Sequence, residues 1–197
     1  MTLSSATSKF KAVCAAAFVS FAVAAPVAAQ ESVETLNDGQ TIDAFGDWLM
    51  ECNQPPTPEG ATEAPPELCE IRSSVTTTRE DGEQRLLLMM GMGPVDKGGN
   101  FWVVFQTPQS VLLTSGVKIK IDPTAEGGEA AAPLIEAKFL YCDASRCLSR
   151  SNLTAAQVKT MIEADEVQVR YEGATGQKIY LPLSLEGFAD ATTAVQM

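Results

Sequence analysis

The sequence contains no histidine. That removes Ser-His-Asp and Cys-His catalysis and every His-ligated metal site. It also leaves no side chain of ordinary pKa that titrates near neutrality, so acid/base chemistry would need a strongly shifted carboxylate or lysine. Between Gln30 and Ile71 there is no lysine or arginine, although ten acidic residues fall there. No Gly-rich phosphate loop sits between a strand and a helix, and no Cys-X-X-Cys pair is present, which argues against nucleotide use and dithiol redox chemistry. Beyond the N-terminal region no apolar stretch is long enough to span a bilayer.

The N-terminal region itself has a tripartite pattern. Lys9 and Lys11 precede an Ala-rich apolar run from Val13, which ends in Pro26-Val27-Ala28-Ala29. A basic segment, an apolar segment and a small-residue cleavage site predict a cleaved secretory signal over residues 1–29. A membrane anchor would need a longer, more apolar run uninterrupted by Pro26. Cys14 lies too close to Lys11 to be a lipoprotein cysteine and leaves with the leader. Residues 30–40 are polar and aperiodic, a flexible lead-in, and residues 41–197 are expected to form one domain. Loss of the leader lysines takes the net charge from −11 to −13. Such a chain repels nucleic acid and anionic head groups and predicts a soluble protein with neither as default partner.

Four cysteines remain, and an even number in an exported chain implies disulfides. Of three pairings, Cys52–Cys69 and Cys142–Cys147 are expected, because each pair is close in sequence and brackets a polar loop. A four-cysteine zinc site lacks its usual short knuckle here, and neither metal nor cofactor is expected. The first loop, Asn53–Leu68, holds five prolines and scattered acids, so it is neither helix nor central strand.

Most of the remaining chain has strand periodicity. Trp48, Met50 and Cys52 share one face, Cys69–Thr78 is β-branched, and Arg85–Met92 reads as a strand buried on both faces. Phe101–Gln106, Val117–Ile121, Ile135–Tyr141, Val167–Tyr171 and Lys178–Leu183 follow, separated by turns. The fold class predicted is mainly β, an antiparallel sandwich with one or two short helices. One helix is expected from a Thr154/Gln157 capping box through Val158, Met161 and Ile162 to Ala164, and a second over Leu185–Val195 capped by Ser184.

Three side-chain groups are chemical candidates. Asp43, Asp47 and Glu51 recur every four residues and on one strand would share a face, as a calcium or hydrolytic cluster or, more simply, a solvated one. Met89, Met90 and Met92 offer an adaptable surface or core filling. Glu59, Glu63 and Glu67 lie in the proline-stiffened loop and are the expected partner-binding residues, suited to a cationic protein. The Asn152-Leu153-Thr154 sequon is discounted because Thr154 already caps a helix.

An ordered set of motifs runs through the chain. Phe45-Gly46-Asp47-Trp48 is followed by Cys52, then Cys69 after a loop, Pro108, Gly116–Asp122, the close pair Cys142/Cys147, and Leu181-Pro182-Leu183-Ser184-Leu185-Glu186-Gly187-Phe188. Together these resemble the invasion associated locus B family of Gram-negative envelope proteins. The resemblance implies an immunoglobulin-like β-sandwich, exported to the periplasm or outer surface, without known catalytic residues and, in pathogenic members, associated with entry into host cells. The long Pro/Glu-rich loop departs from the family pattern. The function expected is therefore a non-enzymatic envelope protein that binds a protein partner. The rival is a carboxylate-based hydrolase of cell-wall or surface glycan, which needs two carboxyl groups flanking a cleft. A third reading, a chaperone-like module, needs a long unprotected edge strand.

Overall fold

The computed structural model describes residues 34–35, 40–60, 62–122 and 132–197, and the leader expected at 1–29 lies outside them. Eleven strands are described: β1 (Glu34–Thr35), β2 (Gln40–Phe45), β3 (Trp48–Asn53), β4 (Leu68–Thr78), β5 (Gln84–Pro94), β6 (Phe101–Pro108), β7 (Val117–Ile121), β8 (Ile135–Cys142), β9 (Arg146–Leu153), β10 (Val167–Glu172) and β11 (Lys178–Leu183). Helix α1 (Ala155–Ile162) follows β9, and α2 (Phe188–Ala194) follows β11. Every pairing is antiparallel, and the order is β1-β2-β3-β4-β5-β6-β9-β8-β7-β10-β11.

This order corrects the immunoglobulin-like sandwich. The strands form one continuous curled sheet, a half-barrel, rather than two sheets facing each other. Strand β8 makes the corner. Its first residues, Ile135–Ala137, pair with β7, its later ones, Lys138–Cys142, pair with β9, and the register slips between Phe139 and Tyr141. A strand that changes partner at an irregularity bends the sheet around its own core. The core is lined by Trp48, Ile71, Leu88, Met90, Met92, Phe101, Val103 and Phe105 from one half and by Ile119, Val169, Leu181 and Leu183 from the other. Tyr171 crosses this interior and donates its hydroxyl to the Leu87 carbonyl at 3.0 Å.

Several local expectations change. Strand β5 is buried on both faces only from Met90 to Gly93, where Gly91 and Gly93 are covered as well as the methionines; before that Leu88 is fully buried, Leu87 and Met89 half-buried, and Leu86 exposed. The methionines at 90 and 92 thus fill the core. Strand β9 has no counterpart among the expected strands, because serines at 149 and 151 interrupt the apolar alternation between Cys147 and Leu153 on its inward face. Helix α1 has the expected capping box, but Ile162 is exposed and only Val158 and Met161 are buried. Helix α2 starts later than expected, and its N-cap is Gly187, not Ser184. The Ser184 hydroxyl instead accepts from the Glu186 N–H at 3.2 Å.

The reason for that late start is a seam between the two ends of the domain. The β2–β3 turn at Gly46-Asp47 and the segment Leu185–Gly187 press backbone against backbone. Asp47 donates its N–H to the Glu186 carbonyl at 3.2 Å, and the Trp48 indole donates to the Ser184 carbonyl at 3.0 Å. The rings of Trp48 and Phe188 lie 4.8 Å apart. Gly187, in the left-handed region at φ 78°, has no room for a side chain: a Cβ there would lie 1.9 Å from the Phe45 carbonyl oxygen. Residues 185–187 are therefore spent on the crossing and cannot begin the helix.

Candidate functional site

The opposite end of strand β3 from this seam carries the first cysteine pair and the acidic loop. Strands β3 and β4 pair in register with Cys52 opposite Cys69, and the two sulfurs lie at bonding distance, 2.05 Å, with Cα atoms 4.0 Å apart. The loop between them is thereby closed at its base, and Gln54 Nε2 adds a tie across it to the Pro65 carbonyl. Glu59, Glu63 and Glu67 are all exposed. The Glu67 carboxylate lies within 4.8 Å of both sulfurs, but sulfurs joined to each other cannot serve as thiolate ligands, so these three groups form no metal site. Cys142 and Cys147 pair likewise, at 1.94 Å, at the far end of the sheet. Two pairs at opposite ends exclude a four-cysteine zinc site.

Beside the loop lies an open groove of about 760 Å³. Glu67 and Leu68 form one wall, Val95 and Lys97 another, and the end of the chain at Val195 and Met197 a third. Its floor includes Trp102, whose ring covers Gly93; a Cβ at Gly93 would sit 2.4 Å from that ring. Glycine at 93 is what allows the indole to lie on the backbone. Glu59 and Glu63 do not line this groove, so the structure brings only one of the three expected glutamates to it. Sequence reasoning missed Trp102. The available signal was its phase: Phe101, Val103 and Phe105 point inward, so an aromatic at 102 must point out.

Two carboxylates near the groove have displaced pKa values. Glu70 is pushed up, first by burial and then by neighbouring Glu51, with Arg72 opposing. Glu51 itself is held by Arg72 at 2.9 Å and by the Gln40 amide. Asp96 is pulled down, first by the Asn100 side-chain amide at 2.9 Å and then by the Gly98 N–H at 2.8 Å. Asp96 therefore organises its own turn, and this geometry gives the hydrolase reading no support. The four-residue carboxylate series also dissolves: Asp43 lies on β2, Asp47 in the turn and Glu51 on β3. The sheet edges do not suit a strand-capturing chaperone either. Edge strand β11 has six residues and carries Pro182, which lacks an N–H, and the other described edge, β1, has two residues.

The motifs that run through the chain thus meet in space, with Phe45–Trp48 locked to Ser184–Phe188 and each cysteine pair closing a β-hairpin connection. Residues 48–196 match the family model described as Invasion associated locus B (IalB) protein. The chain belongs to this family. A solved member-type structure, invasion associated protein B from Bartonella henselae, shares the fold with a TM-score of 0.58 at 16% identity, covering 78% of this chain and 93% of that one. No protein with a curated description matches the chain in sequence. Among the described residues, no helix is long and apolar enough to cross a membrane. The first and last of these motifs build structure here: Gly46, Gly187 and Trp48 make the seam.

Proposed function

We propose that this family member is an exported, non-enzymatic binding protein of the cell envelope, acting in the periplasm or at the outer surface. Its partner is a protein with a cationic surface, and host-cell invasion is the role at family level. Export rests on the leader pattern of residues 1–29 and on four cysteines placed as two pairs at bonding distance. The absence of histidine and the structural use of the family motifs support binding without turnover.

One observation carries the choice of surface: an exposed acidic loop, free of cations and stiffened by proline, is closed by a cysteine pair directly beside a groove floored by Trp102. A loop already closed loses little entropy on docking, and an outward aromatic next to it supplies apolar contact. The test is Glu59→Gln/Glu63→Gln/Glu67→Gln in the tagged full-length protein, crosslinked in intact cells. The triple variant is expected to fold normally, since exposed substitutions change stability by under about 0.5 kcal/mol. Partner capture should fall, and its salt dependence should flatten. Unchanged capture with unchanged salt dependence overturns the assignment of the loop.

A further inference from the structure

The other half of the sheet carries an arrangement that the acidic composition makes costly. Along its outward face, register places Lys138 of β8 directly opposite Arg150 of β9, and Lys118 of β7 directly opposite Arg170 of β10. Alternating burial turns all four away from the core, since Ala137, Ser149, Val117, Ile119 and Val169 are buried on the inner side. Like charges directly opposite each other destabilise an antiparallel pair. A chain with 25 acidic and 14 basic residues places two such pairs in one staggered row, with Lys138 one outward position along β8 from Glu136, the residue opposite Lys118.

A single carboxylate, Glu136, lies in that row opposite Lys118, and their 3.7 Å contact is partly exposed and weak. Arg170 continues the row over the ring of Tyr180, at 5.9 Å. Lys138 and Arg150 are exposed and have no carboxylate partner among the described residues. From β9 to β11 the row crosses five strands, roughly 19 Å at ordinary strand spacing. A local rule broken twice on one face of neighbouring strands, two residues apart along them, marks a surface shaped for something other than stability.

We propose that this row is a docking surface for the acidic loop Asn53–Leu68 of a second copy of the chain. The inference names the cationic partner of that loop and so rests on the reading above. Charge complementarity carries it: the row presents four cations to one carboxylate, while the loop presents Glu59, Glu63 and Glu67 with no cation. The loop springs from β3 and β4, which β5 and β6 separate from β9, so it does not start beside the row of its own sheet. Reciprocal exchange, loop onto row in both directions, closes at two copies about a two-fold axis.

The test uses full-length protein expressed in cells and purified from the envelope, with association followed by sedimentation at low and high salt. Wild type is expected to dimerise, more weakly as salt rises. Lys138→Glu/Arg150→Glu and, separately, Glu59→Lys/Glu63→Lys/Glu67→Lys should each weaken self-association by about tenfold or more, and mixing the two variants should restore a heterodimer. Lys138→Glu alone should raise the unfolding midpoint while lowering association, a combination that a purely structural role for Lys138 does not give. A wild type that stays monomeric overturns the inference, as does row reversal without effect. Row-dependent binding to phosphatidylglycerol vesicles without dimerisation overturns it in favour of a lipid surface. In each of those cases the triple glutamine test with other cationic proteins still decides the loop reading by itself. Loss of dimerisation on row reversal but not on loop reversal overturns the choice of occupant.

Discussion

The two ends of this sheet carry the same covalent device in the same setting. Each cysteine pair joins residues that are register partners on neighbouring antiparallel strands, with Cα atoms 4.0 Å apart. At one end the pair is separated by 17 residues and closes a long, proline-rich, acidic loop. At the other the separation is 5, and the turn is already organised by Asp143, whose carboxylate accepts from the Ser145 N–H at 2.7 Å, the Ser145 hydroxyl at 2.8 Å and the Arg146 N–H at 3.0 Å. The difference shows that a bridge matters through what it closes. The first restrains a long segment in which the Gln54–Pro65 bond is one further tie, while the second reinforces a short turn that several hydrogen bonds hold already.

The strongest challenge to that comparison is the closure that uses no sulfur. Gly187→Ala at the seam combines a left-handed φ with collision against the Phe45 carbonyl, and should cost about 3 kcal/mol or more in urea unfolding. If it costs less than removal of either bridge, the seam is not the main closure of the domain. Between the bridges, loop-closure entropy predicts about 3 kcal/mol for Cys52→Ser/Cys69→Ser and about 2 kcal/mol for Cys142→Ser/Cys147→Ser. The Asp143 turn should narrow the second loss further. Equal losses would mean that loop length does not separate the two ends.

The smallest effects come from pH, and the two ends should respond with opposite sign. Asp143 is held down to about 2 by its hydrogen bonds, first of all the Ser145 N–H. A carboxylate depressed on folding stabilises its turn above its ordinary value of 3.8, and that contribution is lost as pH falls toward about 2. Amide exchange at Ser145 and Arg146 should therefore quicken in that window, and Asp143→Asn should abolish the dependence. Glu70 is raised, so its folded form is favoured while protonated, and stability declines as pH climbs from its ordinary 4.5 through the higher folded value. Glu70→Gln should raise the unfolding midpoint at neutral pH and leave it unchanged near pH 3. The gain should stay under about 1 kcal/mol, because solvent screens a half-exposed carboxylate.

The sequence displayed the strands whose inward residues are large and apolar. Val117, Ile119, Val167 and Val169 alternate cleanly because they face a continuous core, and the Thr154/Gln157 capping box is local chemistry that needs no tertiary information. Strand β9 was hidden because Ser149 and Ser151 occupy its inward positions, and β2 because its burial is only partial along most of its length. The half-barrel was hidden for a different reason. Whether strands make one sheet or two depends on β8 changing partners mid-strand, a property of register that leaves no mark in composition. At the site, Glu67 was legible as a loop acid. Its proximity to Trp102 and Met197 depends on the chain end returning to the β3–β4 junction, which no local pattern records.

The seam also sets the order in which this protein can become itself. Trp48 and Ser184 are 136 residues apart in the chain, so the tip of the first hairpin lacks its seam partner until residues 184–188 are available, although β3 can already pair with β4. Contacts of such sequence separation form slowly, after local hairpins such as β4–β5 have had time to close. Until residues 184–188 arrive, the Trp48 indole lacks its Ser184 hydrogen bond and its Phe188 ring contact. The quenching or blue shift of Trp48 fluorescence, read in a Trp102→Phe background, would time that arrival as the last event of folding.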